Sequence, residues 1–214
     1  MITRLLEGHE RFRNDYFENG RELFESLARG GQNPTALFIC CCDSRVVPNL
    51  IVSAGPGDLF VVQNIANIVP PYEAGQVLNR SVGAAIEFAI HFLRVPHVVV
   101  CGHTGCGGLA ALIGGPEAVS RDTPTLAGWL RDAAAVLDRL QRTELDPDAL
   151  ALQLAYENVV VQLENLLTYP VVKRALDENR LEMHGWLYDI ADGSLVAFDP
   201  QTNSFRPLES AYAT

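Results

Sequence analysis

The chain has 214 residues, 48% of them hydrophobic, and a formal net charge of −10. That size and apolar share suit one well-buried core, so residues 1–214 are expected to form a single domain, and no apolar run is long enough to offer a membrane span. With no basic cluster against the acidic balance, neither nucleic acid nor an anionic membrane surface is expected as partner.

The opening MITRLLEGHERFRNDYF is too charged for a secretory signal, and the thiols suit a reducing compartment, so a cytoplasmic location is expected. Residues 7–27 mix charges with apolar Phe12, Tyr16, Phe17, Leu23, Phe24 and Leu27. This predicts one or two amphipathic helices, parted near Asn19-Gly20 and ended by Gly30-Gly31, with residues 1–30 as a helical arm. Three short runs rich in Val, Ile and Phe, at 36–40, 59–62 and 97–101, have the length of buried parallel strands. Between the last two, residues 77–93 carry apolar side chains at a helical period that Pro96 stops.

Residues 126–140 repeat that helical pattern. A further helix is predicted from Asp146-Pro147, with the carboxylate as N-cap and proline in the first turn, to Leu167, before Tyr169-Pro170 breaks it. Residues 186–190 and 195–198 bracket Asp192-Gly193 as a hairpin. The order predicts an α/β fold, a mainly parallel sheet flanked by helices.

All five cysteines fall in two segments, Cys40-Cys41-Cys42 in FICCCDSRV and Cys101 and Cys106 in VVVCGHTGCGG. Each segment follows or ends a predicted strand, where open α/β sheets place their ligand-binding residues. In extended chain Cys41 and Asp43 face the same way, and Gly105, Gly107 and Gly108 permit tight backbone approach around His103 and Cys106. Thiolate and imidazole together point to zinc. Spacing alone leaves a structural zinc site, buried thiols and a catalytic centre all open, because 61 residues lie between Cys41 and His103.

The longer strings are more specific. CCDSRV, DLFVVQNIANIVPPY, GAAIEFAI, VVVCGHTGCGG, NVVVQLENLLTYPVV and HGWLYDI, in that order from about Gln32 to Asp189, resemble the β-class carbonic anhydrases. The resemblance implies one Zn2+ per chain held by Cys41, His103 and Cys106, with Asp43 and Arg45 as the adjacent acid–guanidinium pair. It implies a lyase in which zinc-bound hydroxide attacks CO2, interconverting it with bicarbonate, and a homodimer or higher even oligomer with the N-terminal arm on a partner subunit. Three protein ligands leave a tetrahedral position open, and two thiolates weaken the acidification of water there, so an alkaline pH optimum is expected.

By the same resemblance, Gln32, Phe60, Ile65, Phe88 and the Gly107 N–H line the substrate pocket, Phe60 and Ile65 as apolar walls across the dimer interface. Phe88 stands where many members have tyrosine. Members whose aspartate closes the site as a fourth ligand have tryptophan and arginine where this chain has Phe38 and Gln63, so an open site with Asp43 on Arg45 is expected. Cys40, Cys42 and Cys101 are read as small core residues. His9, His91, His97 and His184 are by residue type the candidates for a proton shuttle, but each reads as a surface or strand-end histidine, and none is nominated. Two rival readings remain: hydrolysis of carbonyl sulfide or carbon disulfide, and a zinc-stabilised scaffold without catalysis.

Overall fold

Five strands occupy the predicted apolar runs, with ends shifted by one to four residues. The computed structural model describes residues 2–74, 80–113, 122–140 and 146–212. Its strands are β1 (Ala36–Cys41), β2 (Leu59–Asn64), β3 (His97–His103), β4 (Glu182–Tyr188), β5 (Leu195–Asp199) and β6 (Ser204–Pro207), in the sheet order β2-β1-β3-β4-β5-β6. The first four in that order run parallel; β5 and β6 each pair antiparallel with their predecessor. Every residue of β1 is buried, and every residue of β3 but the first, as a strand covered on both faces requires.

Helix α1 (Ile2–Arg11) runs on through a π turn, Phe12–Phe17, and is parted from α2 (Arg21–Gly30) near Gly20, as the sequence predicts. Neither helix buries a residue. The remaining helices are α3 (Pro48–Ile51), α4 (Arg80–Glu87), α5 (Gly107–Ile113), α6 (Pro124–Leu130), α7 (Ala135–Arg139), α8 (Pro147–Leu166), α9 (Pro170–Asp177) and α10 (Leu208–Ala211). Helix α4 continues through a second π turn, Phe88–Phe92, and its predicted start at 77–79 lies outside the described residues.

One expectation needs correction, and two features lie beyond the prediction. Residues 126–140 are not one helix: a 3-10 turn, Arg131–Ala133, separates α6 from α7. Buried Leu130, Ala133 and Val136 recur every three residues there, which suits three residues per turn better than 3.6. Tyr169-Pro170 ends one helix and also starts the next, because proline in a first turn gives up no intrahelical hydrogen bond. Finally, β6 is short and half polar, too weak a pattern to predict.

The main core lies between the sheet and α4, α5, α8 and α9. Helix α8 is capped as predicted, Asp146 accepting from the amides of Asp148 and Ala149 at 3.0 Å. It packs against β3 and β4 at two glycines: a Cβ at Gly102 would stand 2.8 Å from Val159 Cγ2, and one at Gly185 would stand 2.7 Å from Leu163 Cδ1. On the opposite face Phe38, Cys40, Val99 and Cys101 form a smaller cluster under Trp186 and Tyr188.

Candidate metal centre

Parallel neighbours β1 and β3 end at Cys41 and His103, so both side chains stand at the carboxyl edge of the sheet. The chain then turns through Thr104 and Gly105, whose φ of +65° favours glycine, and delivers Cys106 immediately before α5. This brings one donor atom each of Cys41, His103 and Cys106 within 4.8 Å of one another, with the two sulfurs 3.9 Å apart. All three residues are buried.

Their hydrogen bonding leaves room for a cation and little else. The Thr104 carbonyl can only accept, so the His103 Nδ1 that lies 2.9 Å from it carries the proton, and Nε2 is left with its lone pair. That buried Nε2 has no hydrogen-bond partner among the described residues. A hydrogen bond from the Cys106 thiol pushes Cys41 down to about 4 against the effect of burial, and the same bond, with burial, pushes Cys106 up. Burial pushes the His103 imidazole down, but the nearby Cys41 sulfur, the Thr104 carbonyl and Asp43 outweigh it, and its pKa is raised. The raised Cys106 and His103 report a pocket short of positive charge, and two thiols with an imidazole match the donor chemistry of zinc.

Asp43, two residues past Cys41, turns the same way and brings Oδ2 to 3.9 Å from His103 Nε2. Arg45 grips this carboxylate with two parallel bonds, Nε to Oδ1 at 2.9 Å and Nη2 to Oδ2 at 2.7 Å, and adds its own backbone N–H at 3.0 Å. These bonds hold the Asp43 carboxyl well below the usual carboxylate range. Arg45 is held in turn by the Gly105 carbonyl at 3.3 Å, which ties the two halves of the site together.

A family model for carbonic anhydrase matches residues 36–195. Among curated proteins, a carbonic anhydrase of Synechocystis is 41% identical over 98% of this chain and 75% of its own length, and one of Pseudomonas aeruginosa is 42% identical over 95% and 90%. The solved structure of the β-carbonic anhydrase CcaA superposes with a TM-score of 0.90 at 40% identity, covering 96% of this chain and 98% of the other. The chain belongs to the β-carbonic anhydrase family.

Within this carbonic anhydrase fold the remaining predicted site residues divide into two groups. Gly107 follows Cys106 as the first residue of α5, and Ile65 stands close by, its Cγ2 2.7 Å from where a Cβ on Gly108 would be. Ile65 also lines an apolar cleft of about 740 Å³ with Val62, Leu126 and Trp129, and its carbonyl accepts from Trp129 Nε1 at 2.9 Å. Gln32, Phe60 and Phe88 are not gathered around the chain's own donors. Gln32 is exposed. Phe60 pairs with Leu37, four residues short of Cys41, and stacks on Phe88 at 5.9 Å between ring centres.

Phe38 packs edge-on against Trp186, and the Gln63 amide donates to the carbonyls of Cys41 and Val46 at 3.2 and 3.3 Å. Cys40 and Cys101 are core residues, their thiols pushed up by burial, Cys40 to about 12. Cys42 is a correction: it is exposed, because it lies just past the end of β1, whereas Cys40 on the same side is covered by the smaller cluster. Sequence reasoning did not single out Thr104 and Gly105 as the carbonyls that set the His103 tautomer and seat Arg45, since a backbone acceptor leaves no mark in residue type.

Proposed function

We propose that this chain is a zinc-dependent carbonic anhydrase that interconverts CO2 and bicarbonate with release of a proton. The observation that carries the reading is the convergence of Cys41, His103 and Cys106 beside a carboxylate already engaged by Arg45. One zinc ion per chain would be held by those three side chains. When bound it supplies a Lewis acid that makes water nucleophilic near neutral pH. Asp43, kept ionised by Arg45, accepts a hydrogen bond from the attacking water and so aims its lone pair at the carbon of CO2. Because Arg45 occupies both carboxylate oxygens, and Phe38 and Gln63 provide no cation nearby, Asp43 remains an acceptor and the site stays open.

Gly107 N–H is read as a substrate contact of the same subunit, and Ile65 as an apolar wall contributed across the dimer interface. Gln32, Phe60 and Phe88 are read as contacts made across a subunit interface, which accounts for their distance from the chain's own donors. A homodimer, or a higher even oligomer, is supported by the exposed Ile2, Leu5, Leu6, Phe12 and Tyr16 of the arm, residues 1–30, that precedes the rest of the 1–214 domain. Two β-carbonic anhydrases of Sordaria macrospora are described as tetrameric. Five free thiols support a reducing, cytoplasmic setting.

The test is stopped-flow CO2 hydration with a pH indicator on protein of measured zinc content, over roughly pH 6.5 to 9. Hydration rising smoothly through that range is expected of an open site. An abrupt onset above neutrality would show Asp43 closing it. Bound zinc with no hydration at any pH would overturn the reading, and sulfide release from carbonyl sulfide would then separate the sulfur-analogue hydrolase from a scaffold.

A further inference from the structure

At the opposite end of β3 and β4 lies a second set of metal-donor side chains that the centre above does not use. His97 opens β3 and pairs in register with Glu182, which opens β4, while His184 stands two residues further and faces the same side. His97 Nδ1 lies 3.2 Å from His184 Nε2, and Glu182 Oε2 lies 3.7 Å from the first and 3.8 Å from the second. Six residues of strand, about 20 Å at roughly 3.3 Å per residue, separate His97 from His103, so this is a different centre.

The arrangement around His184 is that of a positioned ligand. Its Nδ1 is 2.8 Å from Tyr212 Oη, and Trp186 Nε1 donates to the same oxygen at 3.1 Å. When the Nδ1 proton is given to Tyr212, Nε2 presents a lone pair to His97 Nδ1. Two nitrogens each about 2.0–2.1 Å from one tetrahedral ion stand about 3.3 Å apart, close to the separation found here. Glu182 adds a negative charge on an exposed, adjustable side chain. Beside the pair opens a cleft of about 300 Å³, lined by both imidazoles with Phe38, Leu59 and Trp186.

We propose that His97, Glu182 and His184 form a second site for a divalent transition ion, with Tyr212 as its positioning residue. Two imidazoles and a carboxylate select zinc and its neighbours over calcium or magnesium, which prefer all-oxygen shells. Binding there fixes the His184 tautomer and with it the docking of Tyr212 onto β4.

Metal counting after equilibrium dialysis against zinc tests this on the full chain. A second ion per chain is expected in the wild type and absent from His184→Gln. His97→Gln gives the same reading should that variant fail to fold. Loading with cobalt(II) assigns the ions: His184→Gln keeps the thiolate charge-transfer absorption of Cys41 and Cys106, whereas Cys106→Ser keeps the weaker ligand-field bands of a nitrogen and oxygen site. Tyr212→Phe weakens the second ion about tenfold, the lower end for loss of a group that orients a ligand, and leaves the thiolate band unchanged. A single ion in the saturated wild type, or an unchanged count in both histidine variants, would overturn the proposal.

Discussion

Under the proposed function Asp43 carries two demands that compete for the same oxygens. It must remain an acceptor beside the donor set, and it must not become a donor to it. The fork of Arg45 meets both, because Nε and Nη2 occupy one oxygen each while the backbone N–H of Arg45 adds a further bond to Oδ1. Replacing Asp43 by Ala removes the acceptor and none of the three ligands. The expected outcome is zinc retained and hydration lowered by about 10–100-fold, read from metal content and initial rates on the same sample. Cys106→Ser acts on the other side of the division. It takes one thiolate from a three-residue donor set, so the ion of this centre should be lost on dialysis, lowering the zinc count by one per chain, and hydration with it. Equal zinc in both variants would contradict the division of roles.

At the scale of the element, α8 holds the segment that follows β2 by a ladder of amides. Asn158 donates to the Ala66 carbonyl at 3.0 Å, and Gln162 accepts from the Val69 amide at 2.8 Å while donating to Asn158 at 2.9 Å. Asn165 donates to the Val69 carbonyl at 2.9 Å. Asn158 and Gln162 are fully buried, so a broken rung has no water to replace it. Gln162→Leu leaves the Val69 N–H and the Asn158 carbonyl oxygen without partners. A loss of about 1–3 kcal/mol is expected for a buried polar group so orphaned, measured by urea unfolding. The same ladder holds Ala66 and Val69, next to Ile65 in the chain, and substrate affinity should fall with stability if Ile65 lines the pocket.

For the whole molecule, the exposed apolar side chains of α1 make assembly the natural expectation. Sedimentation velocity should find a dimer or a higher even oligomer. A double change of Leu5→Asp and Leu6→Asp should shift it toward smaller species; a wild-type monomer would remove the interface reading of Gln32, Phe60 and Phe88. Alkaline stability is also set globally. Burial pushes the Tyr169 phenol up to about 12 from an ordinary 10, while its O–H donates to the Pro70 carbonyl at 2.8 Å. The folded chain keeps this proton where the unfolded chain has released it. Its contribution is therefore complete below about pH 10 and is lost as the pH rises toward 12. Tyr169→Phe should flatten the fall in unfolding free energy over that window.

By itself the sequence determined the features that act locally. Cys41 and Asp43 face one way because they are two apart in extended chain, and Asp146-Pro147 starts α8 because cap and first turn are read within a few residues. The strings around Cys41 and Cys106 were enough to suggest the family, and with it the donor set. Only the tertiary structure decided what depends on the pairing of distant strands. The register of β1 against β3 joins Cys41 to a histidine 62 positions later, and Gly105 seats Arg45 from across the site. The register of β3 against β4 gathers His97, Glu182 and His184, which in the sequence are a strand-end histidine and a distant pair with no motif between them. Local periodicity specifies which face a residue occupies, but not which other residues share it. That is fixed by the packing of the sheet and by the glycines at 102 and 185 that let α8 approach it.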